Sequence, residues 1–377
     1  LIRALHILLS FFSRTANIIA FLLLVTSIAA SYINPDFFWP FALFGLAYPI
    51  FLVLNIFFLF SWVMRRRWFF LLSFIAIVAS YPQLKGQLAF GKQEQIAEDA
   101  ASVRVMSFNV RNFDLYNWTG RDGARKSMFD TIASVNPDIL CMQEFFTDTV
   151  RFLNLEALEE MGYKYHTMAV ELTKKGNRRW GIAVFSKYPI VKEGEFIRQQ
   201  RPTPYGRFPN RAVFADIQIG TQTVRVISTH LQSIHLNLED YETIKELPEE
   251  TAPEWKKYQG IVLKLAKAFE HRGVQTAELA DFIGKSPHPI ILCGDFNDTP
   301  SSYTYGVISR LLNDAFLQAG KGIGATYNGA IPFLRIDYIF TAPDIQCARF
   351  EVNGNPHSDH FPIVADLLLP AIEPEQK

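Results

Sequence analysis

Residues 1–84 are apolar almost throughout, and from about residue 102 the pattern changes to short apolar runs separated by polar segments. Three stretches of the first part, 15–33, 37–64 and 68–84, read as transmembrane helices, because a span needs about 17–25 mostly apolar residues. The third is at the short end. The second carries Pro40, Pro49 and Asn55, so it is expected to tilt or kink. A signal peptide followed by a buried hairpin is the competing reading, but nothing after Ile33 resembles a cleavage site and two further apolar runs follow. Residues 85–101 are small and polar and read as a linker; 102–370 read as a catalytic domain and 371–377 as a disordered tail.

Within 102–370 the periodicity alternates between strand and helix. Helical patterns cover 122–135, 156–161 and 255–283, the last with Gly273 as a point where it can break or bend. The runs WGIAVFSK (180–187) and RAVFADIQI (211–219) read as strands, and a tight turn after the second leads into VRVIST as a hairpin. Nearly continuous apolar strands mixed with helices predict an α/β domain with buried sheets.

The chain of 377 residues is formally neutral, but its charges are unevenly placed. Residues 1–84 hold five arginines and one acid; the remainder holds 32 basic and 36 acidic residues. A mildly acidic domain is poorly suited to indiscriminate binding of a polyphosphate backbone. Arg3 and Arg14 precede the first apolar stretch, and Arg65, Arg66 and Arg67 separate the second from the third. The positive-inside tendency places both groups in the cytoplasm, so three spans put the catalytic domain outside it. A fourth span upstream of Leu1 would reverse that. Cys141, Cys293 and Cys347 have no metal-type spacing and read as small buried hydrophobes.

Six apolar runs carry polar residues able to hold a metal or a phosphate. They are VRVMSFN (103–109), DILCMQE (138–144), VRVISTH (224–230), PIILCGDFN (289–297), RIDYIF (335–340) and SDHFPIV (358–364). The residues delivered are Asn109, Glu144, His230, Asp295 with Asn297, Asp337, and Asp359 with His360. A carboxylate such as Glu144 suits a hard cation that prefers oxygen ligands and keeps several waters. Asn109 can add a neutral oxygen or orient Glu144. The alternation of Asp295 and Asn297 predicts that both point to one side. His360 beside an acid can serve as donor or base near a phosphoryl group.

SFNVR, QE, THL, GDFND, RIDYIF and SDHFP, in this order, resemble the endonuclease/exonuclease/phosphatase superfamily, over about residues 102–369. GDFND and SDH together carry most of the specificity. The resemblance implies a four-layer α/β/β/α sandwich of two mixed sheets and a site for Mg2+ or Mn2+ at one edge. It implies Glu144 and Asn109 as the metal shell. Asp295 would orient or deprotonate the attacking water, and Asn297 would contact the phosphate. His230 would donate to the transition state or leaving group. Asp337 would pair with a catalytic histidine, with the partner of each aspartate left open. Arg211, Arg272, Gln275 and Arg335 are weaker candidates to line or brace the site.

These readings predict a membrane-anchored, metal-dependent phosphoric ester hydrolase of the inner or plasma membrane, multi-pass, with an extracytoplasmic site. The expected partners are the lipid bilayer and a phosphoester substrate, favoured to be a lipid headgroup; no protein partner is expected. A nuclease is the alternative. It would use the basic clusters Lys174, Lys175, Arg178, Arg179 and Arg198, Arg201, Arg207, Arg211. An inactive scaffold is the third reading. Two segments, 231–258 and 322–333, are candidate rim loops.

Overall fold

Nearly continuous apolar strands have to be covered on both faces, which two sheets packed on each other under helices provide. The computed structural model describes residues 2–96, 101–118, 120, 122–172, 177–196, 211–234, 240, 255–329, 333–354 and 357–370. Lys174, Lys175, Arg198, Arg201, Arg207, most of the acidic segment 231–258 and the tail 371–377 lie outside them.

Twelve strands build the two sheets: β1 (Ser102–Asn109), β2 (Ile139–Asp148), β3 (Tyr165–Leu172), β4 (Arg178–Ser186), β5 (Ile190–Glu195), β6 (Ala212–Ile219), β7 (Gln222–His230), β8 (Ile290–Asp295), β9 (Asn313–Asp314), β10 (Asp337–Thr341), β11 (Gln346–Val352) and β12 (Ile363–Leu368). One sheet has the order β11-β12-β1-β2-β4-β3 and the other β9-β10-β8-β7-β6-β5. Each is antiparallel except for one central parallel pair, β1 with β2 and β7 with β8. The expected hairpin is present, with Ile219 opposite Gln222 and Gly220 at φ 59° in the turn.

Val105, Cys141 and Val184 of the first sheet meet Val226, Ile291, Cys293 and Ile339 of the second in one buried cluster. On the first sheet's far face, Met106, Leu140, Met142 and Phe185 pack under Met128 and Ile132 of a helix at Ala124–Val135. Beyond the second sheet, Trp255–Gly284 contributes Leu279 and Ile283, and Ala315–Ala319 contributes Phe316. The layers are thus helix, sheet, sheet, helix, as expected. Trp255–Gly284 continues through Gly273 without a break.

The apolar N-terminus departs from the three uniform spans expected. Among the described residues, one helix is long and apolar enough to cross a membrane by itself, Ser10–Ala29 within α1 (Ile2–Ala29). A leader segment or a core helix would satisfy the same measure, although only 22% of this one is buried. The second stretch is two helices, Pro40–Leu46 and α2 (Tyr48–Met64), bent by 60°. Pro49, in the first turn of α2, supplies no amide hydrogen to continue the preceding helix. The third is α3 (Phe70–Ala79), ten residues long, ended at Ser80 and followed by Tyr81–Gln87.

These helices run up, down and up against one another. Asn17 of α1 donates to the Phe69 carbonyl at 3.4 Å, and Arg14 lies over the Phe69 ring. At the other end Tyr48 donates to the Ser80 carbonyl at 3.3 Å. Polar groups turn inward: Ser73 donates to Asn17 at 2.7 Å, and Asn55 to the Ala20 carbonyl at 2.8 Å. Leu22, Val25, Val53, Phe57, Ile75 and Val78 face outward. The Ser31–Tyr48–Ser80 end meets the catalytic domain, and Arg14 and Arg65–Arg67 belong to the opposite end. The first part of the expected linker lies along the domain: Ala89–Phe90 pairs antiparallel with Lys321–Gly322, and the Glu94 amide donates to the Ala348 carbonyl at 2.9 Å.

Candidate active site

One register row across the second sheet carries three of the expected residues. His230 and Asp337 each stand opposite Asp295, on β7 and β10 respectively. Residues at one register share a face, and this one looks onto the first sheet. The row joins two strand ends to one strand beginning, because β10 is antiparallel to β8. Asp337 opens its strand instead of closing it, and residues 358–360 form the loop that leads to β12, so SDHFPIV is a strand only from Ile363.

The first sheet supplies Asn109 from the end of β1. Glu144 stands at a register irregularity of β2 between Met142 and Phe145, with φ 50°. A bulge re-aims a side chain that regular alternation would send elsewhere. Below it Gln143 donates to Ser228 at 3.1 Å, a link between the sheets.

Asp295 is the centre of the arrangement and is 1% exposed. Its Oδ1 accepts the Asn297 amide at 2.8 Å, and its Oδ2 accepts Asn109 Nδ2 at 3.0 Å. The Nε2 atoms of His230 and His360 lie 3.5 and 3.6 Å from Oδ2. Asp337 is the partner of His360, with Nδ1 at 2.9 and 3.1 Å from its two oxygens. Asp359 faces Arg111 instead, 3.4 Å from Nε. Ser358 fixes the loop by donating to the Asn109 carbonyl at 2.9 Å. Asn109 Oδ1 accepts the Arg111 amide, so its Nδ2 faces Glu144 (3.4 Å) and Asp295. Of the two roles open to Asn109, the geometry displays the orienting one. Asn297 also departs from simple alternation: its φ is 51°, and Nδ2 donates to the Leu231 carbonyl at 3.1 Å.

Burial and charge oppose each other here. Burial works to neutralise the His360 imidazole, but the carboxylates of Asp337, Asp295 and Asp359 hold its pKa well above the usual range. Burial raises the Glu144 pKa, aided by Asp359 and Asp295 and offset in part by His230 and His360. Acidic side chains gathered in so small a volume fit a divalent cation, whose charge would favour their ionised forms. Glu144 is only half buried, which leaves it an approach from solvent. Ligand atoms of Asp295, Asp337 and His360 lie within 4.8 Å of one another, a second group of metal-ligating type. His230 Nε2 is buried without a hydrogen-bond partner, in reach of a ligand bound at this edge.

The sequence patterns did not single out Arg111, Gln143, Thr326 or Ser358. SFNVR contained Arg111, but its pairing with Asp359 depends on a run of left-handed residues from Arg111 to Asp114. Thr326, whose hydroxyl accepts the Ile336 and Asp337 amides at 3.0 and 3.1 Å, had no signal. Arg272 braces the site by donating to the Asn297 and Gln232 carbonyls at 2.7 and 2.9 Å, and Gln275 accepts the Gln232 amide. Arg335 pairs with Asp314, and Arg211 with Glu195.

Similarity to known proteins follows the same boundary between apolar helices and catalytic domain. Solved structures to which the chain is similar include an endonuclease/exonuclease/phosphatase from Beutenbergia cavernae (19% identity, 72% of each chain, TM-score 0.49). The human Nocturnin catalytic domain is 19% identical over 73% of this chain and 96% of its own, with TM-score 0.48. A mannosyl-6-phosphatase from Bacteroides thetaiotaomicron is 18% identical over 71% of this chain and 100% of its own, with TM-score 0.47. No curated protein matches by sequence. Residues 7–86 match a domain of unknown function (DUF8431). Residues 106–360, which span every strand-end group described above, match the Endonuclease/Exonuclease/phosphatase family, and the chain belongs to that family.

Proposed function

We propose that the protein is a membrane-anchored, divalent-metal-dependent phosphoesterase that hydrolyses its substrate by direct attack of water. The observation that carries this reading is Asp295, held by Asn109 and the Asn297 amide between two histidines. Its carboxylate can orient a water and accept its proton. His360, kept protonated by Asp337, can donate to a nonbridging phosphoryl oxygen, and His230 can donate to that oxygen or to the leaving group. Glu144, oriented by Asn109, would hold Mg2+ or Mn2+, which when bound neutralises charge on phosphoryl oxygens. No serine or cysteine nucleophile is needed.

The outward apolar faces and inward polar links of α1, α2 and α3 support embedding in a bilayer. The arginines at the end remote from the catalytic domain support an orientation with that end cytoplasmic and the domain extracytoplasmic. A substrate in or at the membrane, such as a phospholipid or sphingolipid headgroup ester, fits that anchorage better than nucleic acid does. Full-length protein in nanodiscs should release phosphate or headgroup from one member of a panel of lipids, nucleic acids and small phosphate esters, with Mg2+ or Mn2+ and not with chelator. Chelator-insensitive activity, or none on any member, rejects the reading; efficient cleavage of DNA or RNA alone replaces the lipid substrate with the nuclease.

A further inference from the structure

Residues 298–302 follow Asn297 directly and are enclosed from two sides. On the domain side, Tyr338 donates to the Asp298 carbonyl at 2.9 Å, and Arg272 holds the Asn297 carbonyl. On the other side are the N-terminal helices. Ser31 donates to the Ser301 carbonyl at 3.0 Å, and Gln87 Nε2 to the Ser301 hydroxyl at 2.9 Å. The approach is close: on the domain side Gly306 and Gly273 leave no room for a Cβ, and on the helix side Gly45 and Gly86 leave little. A Cβ on Gly45 would lie 3.0 Å from the Ser301 carbonyl oxygen, and one on Gly86 3.1 Å from Pro300 Cβ. From the domain, a Cβ on Gly306 would lie 2.6 Å from the Ser31 carbonyl oxygen. One on Gly273, next to Arg272, would lie 2.3 Å from Asn34 Oδ1 and 3.1 Å from the Asp36 amide nitrogen.

This contact acts on the centre of the site through a short path. Residues 298–302 continue from Asn297, whose left-handed backbone presents its amide to Asp295 Oδ1. Movement of the segment would turn that amide and release one of the two hydrogen bonds that aim the Asp295 carboxylate.

We propose that the apolar helices are a working part of the catalytic centre, with Ser31 and Gln87 as positioning residues that hold residues 298–302 and so fix Asp295 and Asn297. The inference rests on the phosphoesterase reading and adds to it. The N-terminal region does more than keep the enzyme at a surface; it completes the support of the catalytic loop.

The test uses full-length protein in nanodiscs and the substrate found by the panel above. Ser31→Ala with Gln87→Ala should lower kcat about tenfold with KM little changed, since small misplacements of catalytic groups cost up to about 100-fold. Gln87→Glu, which keeps a partner for the Ser301 hydroxyl, should restore most of the rate in the Ser31 background. Hydrogen exchange should quicken in residues 294–304 and stay unchanged in β1 and β2. Should the double variant fail to fold, Ser31→Ala alone should show the same split, at about threefold. Asp295→Asn separates the two ideas: if it is as active as the wild type, the phosphoesterase reading fails. If Asp295→Asn is inactive while the interface variants keep wild-type kcat, the positioning role is overturned.

Discussion

Replacing Asp337 by asparagine isolates the charge of the buried pair while keeping its shape. In the wild type, His360 Nδ1 lies 2.9 Å from one Asp337 oxygen and 3.1 Å from the other, and both residues are buried. An asparagine Oδ1 can still accept the Nδ1 hydrogen, so the ring keeps its tautomer. What is lost is the negative charge that stabilises an imidazolium. Two unit charges about 3 Å apart interact by roughly 5 kcal/mol at an effective dielectric constant of about 20. Part of this remains, because Asp295 stays 3.6 Å from Nε2. A net loss of about 3–4 kcal/mol, at about 1.4 kcal/mol per decade, lowers kcat roughly 100- to 1000-fold. KM should change little, because the His360 proton strengthens its hold on the phosphoryl oxygen only as charge develops there in the transition state. The assay is steady-state hydrolysis with saturating Mg2+, accompanied by a thermal unfolding scan. A kcat within about threefold of wild type in a stably folded variant would refute the assigned role of the pair.

Glu144→Gln should abolish metal-dependent stabilisation. Wild-type protein at a cation concentration about 100 times its dissociation constant should gain about 2.7 kcal/mol, seen as a raised thermal midpoint that chelator removes; an equal shift in the variant places the cation elsewhere. In chelator, the His360 pair should also make stability depend on pH. Because the folded pKa of His360 lies above its unfolded value of about 6.5, its contribution is complete below that pH and is lost as pH rises through the folded pKa. The unfolding midpoint should therefore fall on the alkaline side, and Asp337→Asn should flatten that slope; unchanged slopes in the two proteins would count against the ion pair.

The sandwich was legible because its strands are nearly continuous apolar runs and its helices end on clear signals such as Asn136-Pro137. The site was legible as a set of residues, because Asn109, His230 and Asp295 end strands in recognisable motifs; Glu144, expected at a strand end, lies inside β2, which runs on to Asp148. Its pairings were not, since they depend on which strands become neighbours: Asp359, adjacent to His360 in sequence, turns to Arg111, while Asp337 reaches His360 from 23 positions away. Glu144 owes its direction to an irregularity in β2 that composition does not announce. The apolar helices misled through length. Hydropathy alone reported three continuous stretches, whereas Pro49, Pro82 and the serine at 80 divide two of them.

The register row of His230, Asp295 and Asp337 bears on how this chain can change over generations. An inserted or deleted residue within β7, β8 or β10 would put the row residue of that strand out of phase with the rest of its side chains and dismantle the row at once. The same change at exposed Ile323, ahead of Thr326, would leave the three groups where they are. Drift is therefore channelled into the rim, and new substrates can be acquired by altering loop length while the hydrolytic groups are inherited intact.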